Sequence, residues 1–298
     1  MELRVLRYFL AVAREESISA AAESLHLTQP TLSRQLMDLE AELGKTLFLR
    51  GNRKVTLTQD GVYLRKRANE ILDLVDKTQA EFQTSQEALS GDVYVGGGES
   101  DAMRLIARTA GALQNAHPQV HFHLYSGNAD DVGERLEKGL LDFGILIGTA
   151  DLSKYDYLQL PLYDRWGVLM RKDSPLAEKA GIRPEDLWRQ PLLVSRQAMM
   201  KSDLSNWLQR DFGALNVVST YNLLFNASLM VEEGLGYALA LDKLINTSGN
   251  SPLCFRPLEP GLRSELHVVW KKYQVFSKAA EAFLDLLREQ AAGVAPSV

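Results

Sequence analysis

The chain has 298 residues, too many for one compact core and suited to two or three domains. Hydrophobic content of 46% with 24% charged residues excludes wholesale disorder, and a single cysteine, Cys254, excludes an internal disulfide and a cysteine-built zinc site and fits a reducing cytosol. The net charge of -5 argues mildly against a nucleic-acid partner, yet residues 1–67 hold 11 Lys/Arg against 8 Asp/Glu, so a basic module precedes an acidic body.

The opening M-E-L-R-V-L-R-Y-F-L lacks a basic segment followed by an apolar one with a small-residue cleavage site. No apolar run is long enough to span a bilayer, so neither export nor a membrane partner is expected and the chain is read as cytoplasmic. Leu3, Leu6, Leu10 and Ala13 recur at helical spacing, with Phe9 and Val12 widening the stripe. A second helix begins near Ser17–Ser19 and is expected to bury Ile18, Ala21, Ala22 and Leu25. The triplet H-L-T then makes a tight turn, Thr28 caps a third helix, Pro30 falls in its first turn, and Gly44 stops it.

On that third helix Leu32, Leu36, Leu39 and Leu43 form one face. Thr31 and Arg34 point the other way, Ser33 lies on the flank, and Gln29 reaches a partner only from the helix tip. A tight turn before a helix with such a tip describes a helix-turn-helix, because these side chains hydrogen-bond to base edges in the major groove. After Gly44, the runs L-F-L and V-T-L flank R-G-N-R-K, a hairpin turn carrying Arg50, Arg53 and Lys54. Such a hairpin is a wing suited to phosphates or the minor groove; the bland reading is a solvated basic turn.

The segment S-I-S-A-A-A-E-S-L-H-L-T-Q-P-T-L-S-R-Q-L-M-D-L-E-A-E-L-G-K-T-L-F-L-R, followed by V-T-L-T-Q-D-G, resembles the winged helix-turn-helix of LysR-type transcriptional regulators. The match is dense over roughly the first 65 residues and looser beyond. By this resemblance Gln29, Pro30, Thr31, Ser33 and Arg34 fall where the family contacts bases, and Arg53 where its wing enters the minor groove. The resemblance implies a winged helix-turn-helix domain over 1–58 (the motif itself about 18–37), a dimerising linker helix over 59–90, and a two-lobed α/β effector domain over 91–298 resembling periplasmic binding proteins. It also implies double-stranded promoter DNA, a small-molecule effector, a homodimer or homotetramer, and RNA polymerase as partners.

The residues themselves agree with a long helix from about Thr58 to Leu89. Positions 64, 68, 71, 75, 78, 82, 85 and 89 alternate spacings of four and three and hold Leu, Ala, Ile, Val, Thr, Phe, Ser and Leu. A connector with no domain of its own to bury against points to a partner chain as the cover; packing on the C-terminal body is the alternative.

From Asp92 strands alternate with helices. V-Y-V, V-H-F-H-L-Y and D-F-G-I-L-I with intervening helices imply a parallel, doubly wound sheet. A second set has strands at W-G-V-L-M, P-L-L-V and V-V-S-T-Y and helices near 201–210 and 224–233, before L-H-V-V-W and a last helix return to the first lobe. Lobe I is expected over about 91–161 and 267–298, and lobe II over about 162–266.

An enzyme is a poor reading. Gly96, Gly97 and Gly98 follow a strand, but Asp101 stands where a dinucleotide loop needs its third Gly, and neither G-x-S-x-G nor H-E-x-x-H occurs. His121 and His123 share a strand face as ordinary polar residues, so no catalytic residue, metal or cofactor is expected. The missing export signal counts against a periplasmic solute carrier, and an α/β enzyme with an accessory DNA module is the remaining alternative.

A ligand sensor fits better. Strand ends and the turns after them offer Gly98, Ser100, Gly127, Asn128, Ile147, Gly148, Thr149, Ser195 and Gln197, with Phe225 and Asn226 at a helix start. The resembling family places effectors between these elements. A helix beginning at Gly98–Ser100 presents unpaired N–H groups, so an anionic metabolite with Ser100 as anchor is expected, opposed only if Glu99 turns inward.

Overall fold

The computed structural model describes residues 1–51, 54–83, 89–148 and 151–294, and the chain divides into two compact units, Met1–Gln83 and Thr84–Val298. In the first, α1 (Leu3–Glu15), α2 (Ile18–Ser24) and α3 (Gln29–Leu43) precede a hairpin of β1 (Phe48–Arg50) and β2 (Val55–Leu57), then α4 (Gln59–Gln83). Local chemistry sets the breaks. Ser17 accepts the Ala20 N–H at the head of α2, Thr28 accepts the Thr31 N–H at the head of α3, and Gly44 closes α3 at φ +63°. Leu6, Phe9 and Val12 of α1 pack on Ala21 and Ala22 of α2 and on Leu32, Leu36 and Leu39 of α3. Glu40 accepts the N–H groups of Leu47 (2.7 Å) and Phe48 (3.1 Å), tying the third helix to the hairpin.

Three sequence expectations are corrected in this unit. Leu3 is 42% exposed and Val5 is buried instead, so the inward stripe of α1 is turned from the one expected. Leu43 is exposed because the helix end projects past the core. On α4, Leu64, Ala68 and Leu72 are buried in this same core, with Ile71 packed against it, so the connector helix does have a domain of its own to cover its first half. Further along, Val75 is half-buried and Thr78 exposed, the Phe82 side chain and Ser85 lie outside the described residues, and Leu89 packs into the core of the second unit.

The second unit runs β3 (Gly91–Gly97), α5 (Met103–Ala116), β4 (Val120–Ser126), α6 (Ala129–Glu137), β5 (Phe143–Ile147), β6 (Tyr155–Arg171), α7 (Pro184–Leu187), β7 (Leu192–Ser195), α8 (Arg196–Met199), α9 (Ser202–Leu208), β8 (Val217–Tyr221), α10 (Leu224–Glu232), β9 (Tyr237–Leu241), β10 (Leu253–Pro257), β11 (Arg263–Lys271) and α11 (Lys278–Gly293). Its strands form one sheet in the order β4-β3-β5-β11-β6-β9-β7-β8, with β10 also on β6. The three strands read as parallel, β3, β4 and β5, do pair so, and the sheet as a whole is mixed. β3 pairs parallel with β4 and β5, and β7 with β8 and β9, whereas β6 and β11 run antiparallel to all their neighbours. The first part of β6 pairs with β11 and its last part with β9 and β10, so this strand crosses from one lobe to the other; β9 and β10 had no counterpart in the sequence reading.

The inner strands of each lobe are covered on both faces and are apolar runs, while the edge strands β4 and β8 alternate buried and exposed residues. In lobe I, Val93, Val95, Phe143 and Ile145 pack under α5 and α11, and Leu146 and Val269 pack under Val132 and Leu136 of α6. In lobe II, Val194 and Leu239 face α9, and Leu193 and Ala240 face Val231 of α10. The glycine-rich end of β3 serves this packing: a Cβ on Gly96 would lie 2.4 Å from Leu141 Cδ1. No nucleotide loop is needed to explain it.

Candidate functional site

In the first unit the third helix presents Gln29, Pro30, Thr31 and Arg34 to solvent, with Ser33 half-buried. The Thr31 hydroxyl lies 2.7 Å from that of Thr28, so it is engaged in the cap. In the hairpin the Gly51 N–H donates to Lys54 O at 3.0 Å, and Lys54 pairs with Glu16 at 2.5 Å, so phosphate must compete with that carboxylate. The backbone of Arg50 ends β1; Arg53 lies outside the described residues.

In the second unit a cleft of about 90 Å³ opens between the lobes at the C-terminal ends of the parallel strands. Gly98, Gly127, Asn128, Ile147 and Gly148 line it from lobe I, and Ser195 and Gln197 from lobe II. Gly148 ends β5 at φ +70°, a conformation that favours glycine. Trp166 of β6 and Ser264 of β11 also line it, and the indole N–H donates to the Ser264 hydroxyl at 2.9 Å.

Among the described residues, two hydrogen bonds cross this cleft. Lys201 Nζ, from lobe II, donates to the carbonyl of Ile147 in lobe I at 2.8 Å. In the other direction the Leu224 N–H, at the start of α10, donates to the Glu99 carboxylate, so Glu99 does turn inward and complements that helix terminus. Burial lowers the pKa of the Lys201 ammonium, against the opposing pull of Asp203 and Asp130.

The expectation for Ser100 is corrected. The helix α5 starts at Met103, not at Gly98–Ser100. The N–H groups of Ala102, Met103, Arg104 and Leu105 are taken by the Ser100 hydroxyl and by the carbonyls of Ser100, Asp101 and Ala102, which leaves no ready anion site there. Ser100 is buried and absent from this cleft wall, lining instead the adjoining hollow with Gly98, Glu99 and Leu244; its hydroxyl meets the carboxyl of Asp164. Burial raises that carboxyl to about 6, and its Oδ2 has no hydrogen-bond partner among the described residues. Phe225 and Asn226 are also absent from the cleft wall, Phe225 being exposed, because α10 points its first residue, Leu224, inward instead. Thr149 lies outside the described residues.

Among the described residues no group of three or more His, Cys, Asp and Glu is placed to hold a metal; His121 and His123 are exposed beside Asp92. No described helix is long and apolar enough to cross a membrane.

Residues 3–62 match the family described as "Bacterial regulatory helix-turn-helix protein, lysR family", and residues 86–292 match "LysR substrate binding domain". The chain belongs to the LysR family of transcriptional regulators. Among its relatives, the HTH-type transcriptional regulator BsdA of Bacillus subtilis is 28% identical over 303 residues, covering 96% of this chain and 100% of that protein. The Hca operon transcriptional activator HcaR of Escherichia coli is 28% identical across 99% of both chains. A crystal structure of full-length CbnR complexed with its target DNA shares the fold, with a TM-score of 0.78 at 18% identity over 97% of this chain and 99% of that one.

For this LysR-family chain, sequence reasoning found the strand ends but missed Lys201, Trp166, Tyr221, Asn222 and Ser264 in the cleft wall. The strand-end rule itself could have found Tyr221 and Asn222, which close V-V-S-T-Y. Trp166 and Ser264 sit on the crossing strands, and Lys201 is placed by the closure of one lobe on the other, for which the sequence carries no local signal.

Proposed function

We propose that this LysR-family regulator binds promoter duplex DNA through α3 and the hairpin, and that a small-molecule effector seated between its lobes controls that binding. It acts in the cytoplasm as a homodimer or homotetramer assembled through α4, passes its output to RNA polymerase, and carries out no turnover. The division is 1–58 for DNA, 59–90 for assembly, and 91–298 for the effector. Gln29, Pro30, Thr31, Ser33 and Arg34 read bases, with Arg50, Arg53 and Lys54 on phosphates or the minor groove.

The observation that carries the effector reading is the pair of hydrogen bonds across the cleft, Lys201 to Ile147 and Leu224 to Glu99. A ligand lodged between these contacts changes the free energy of one lobe arrangement relative to another, which is what effector control requires. Selection of genomic fragments bound by the full-length protein, followed by gel shifts with and without a metabolite panel, tests both halves. We expect a small set of promoter fragments whose mobility or affinity responds to one compound class. A protein that retains no fragment above random-sequence competitor would remove the DNA reading, and binding indifferent to every compound would remove the effector reading.

A further inference from the structure

We propose that Lys201 is the specificity-determining residue of the cleft and takes the carboxylate of a short aliphatic carboxylic acid while its bond to Ile147 holds the lobes together. The inference rests on the effector reading above and adds the ligand class and the residue that selects it.

Four ionisable side chains among the described residues line the cleft: Glu99, Lys201, Asp203 and Tyr221, whose hydroxyl donates to the Leu239 carbonyl. The Glu99 carboxylate receives the Leu224 N–H at the head of the nine-residue α10, so a helix terminus offsets its charge. Asp203 stands in the first turn of α9. The half-buried Lys201 ammonium has a neutral carbonyl as its hydrogen-bond partner and forms no ion pair with a described carboxylate. Asp203 and Asp130 attract this ammonium without forming an ion pair with it, and a ligand carboxylate in direct contact adds a closer countercharge to a group taken partly out of water.

Lysine has three N–H donors. One reaches Ile147 O, and the others remain for a ligand oxygen beside Gly148, whose Cα carries no side chain to block the approach. The ligand therefore completes the interlobe contact instead of breaking it. Trp166, Leu204, Leu241 and Leu244 add apolar wall to the same cleft for a short hydrocarbon tail. Size sets the limit on that tail. The cleft holds about 90 Å³, less than the roughly 150 Å³ enclosed cavity known to admit benzene, so an acid of propionate or butyrate size is expected to fit better than an aromatic one.

The test is calorimetric titration of the full-length protein with acetate, propionate, butyrate and benzoate, and with butylamine and 1-butanol as charge controls. Wild type, Lys201→Met and Lys201→Arg are compared, each checked for intact folding by its thermal transition. We expect propionate or butyrate to bind best, to weaken at least tenfold in Lys201→Met, and to be largely restored in Lys201→Arg. Carboxylate binding that is equal in wild type and Lys201→Met overturns the role of Lys201, and binding of the amine or alcohol alone overturns the ligand class, while both leave the cleft as an effector site. Preference for benzoate overturns the size argument. If none of the six compounds binds, the ligand class fails, and a wider metabolite panel that also fails removes the effector reading itself, with DNA binding judged separately by gel shift.

Discussion

The indole N–H of Trp166 donates to the hydroxyl of Ser264 at 2.9 Å, joining β6 to β11 at the point where both strands pass beneath the cleft. This bond ties together two strands that cross the floor of the cleft. Removing its acceptor in Ser264→Ala leaves a part-buried indole donor without a partner, which costs about 1 kcal/mol or somewhat more. All four tryptophans, at positions 166, 188, 207 and 270, lie in the second unit, so urea unfolding of the full chain followed by tryptophan fluorescence reads this body alone. A midpoint identical to wild type would show that the bond does not stabilise this body.

The buried carboxyl of Asp164 makes stability depend on pH. Its folded value of about 6 stands above the ordinary 3.8 because burial disfavours the charge, partly offset by the Ser100 hydroxyl. The folded chain therefore keeps a proton that the unfolded chain releases between those values. Stability from this group is full below pH about 4, declines as pH rises to about 6, and is gone above it, a change on the order of 3 kcal/mol. Asp164→Asn should flatten the denaturation midpoint over that window. Ser100→Ala, which removes a stabiliser of the charged form, should move the decline to higher pH.

How much of this was legible in the sequence follows the range of the interactions. Helix α3 was readable because its cap, its Pro30 and its leucine spacing are all local, whereas the inward stripe of α1 was misjudged because Leu3 and Val5 offer two overlapping apolar registers. Strand ends such as Ile147 and Ser195 converge on the cleft as the topology of parallel strands dictates. Ser100 was misjudged because its partner, Asp164, is on a strand of the hinge, and no local pattern tells a serine at a turn which way to face. The role of Leu64 and Ala68 was hidden for the same reason: a heptad-like spacing states that a face is covered and leaves open by what.

In the first unit, Arg34 is exposed on the face of α3 opposite Leu32, Leu36 and Leu39. Arg34→Ala should weaken binding to a native operator by roughly 1 to 3 kcal/mol and flatten the base preference at one position, with no change in the thermal transition. Thr28→Ala should instead lower the stability of this unit by about 1 kcal/mol through loss of the cap. Equal operator affinity in wild type and Arg34→Ala, measured by gel shift at fixed salt, would count against base reading by this helix.

The assembly face of α4 is predicted to be the side turned away from its own core. Leu64, Ala68 and Leu72 point inward, and Tyr63, Arg67, Glu70 and Leu74 follow at helical spacing on another side, where Arg67 bonds both Tyr63 and Glu70. Tyr63 is 64% exposed and Leu74 42%, an apolar pair at the two ends of a polar stripe. Charge placed inward and outward should therefore act differently. Leu72→Asp puts a carboxylate into the core and should unfold the first unit, at a cost of several kcal/mol. Leu74→Asp should leave folding within about 0.5 kcal/mol of wild type, as surface changes do, while shifting the sedimentation coefficient from oligomer to monomer and abolishing high-affinity binding to paired half-sites. An oligomer that survives Leu74→Asp and Tyr63→Asp together, with the fold intact by circular dichroism, would move the assembly contact off this face of the helix.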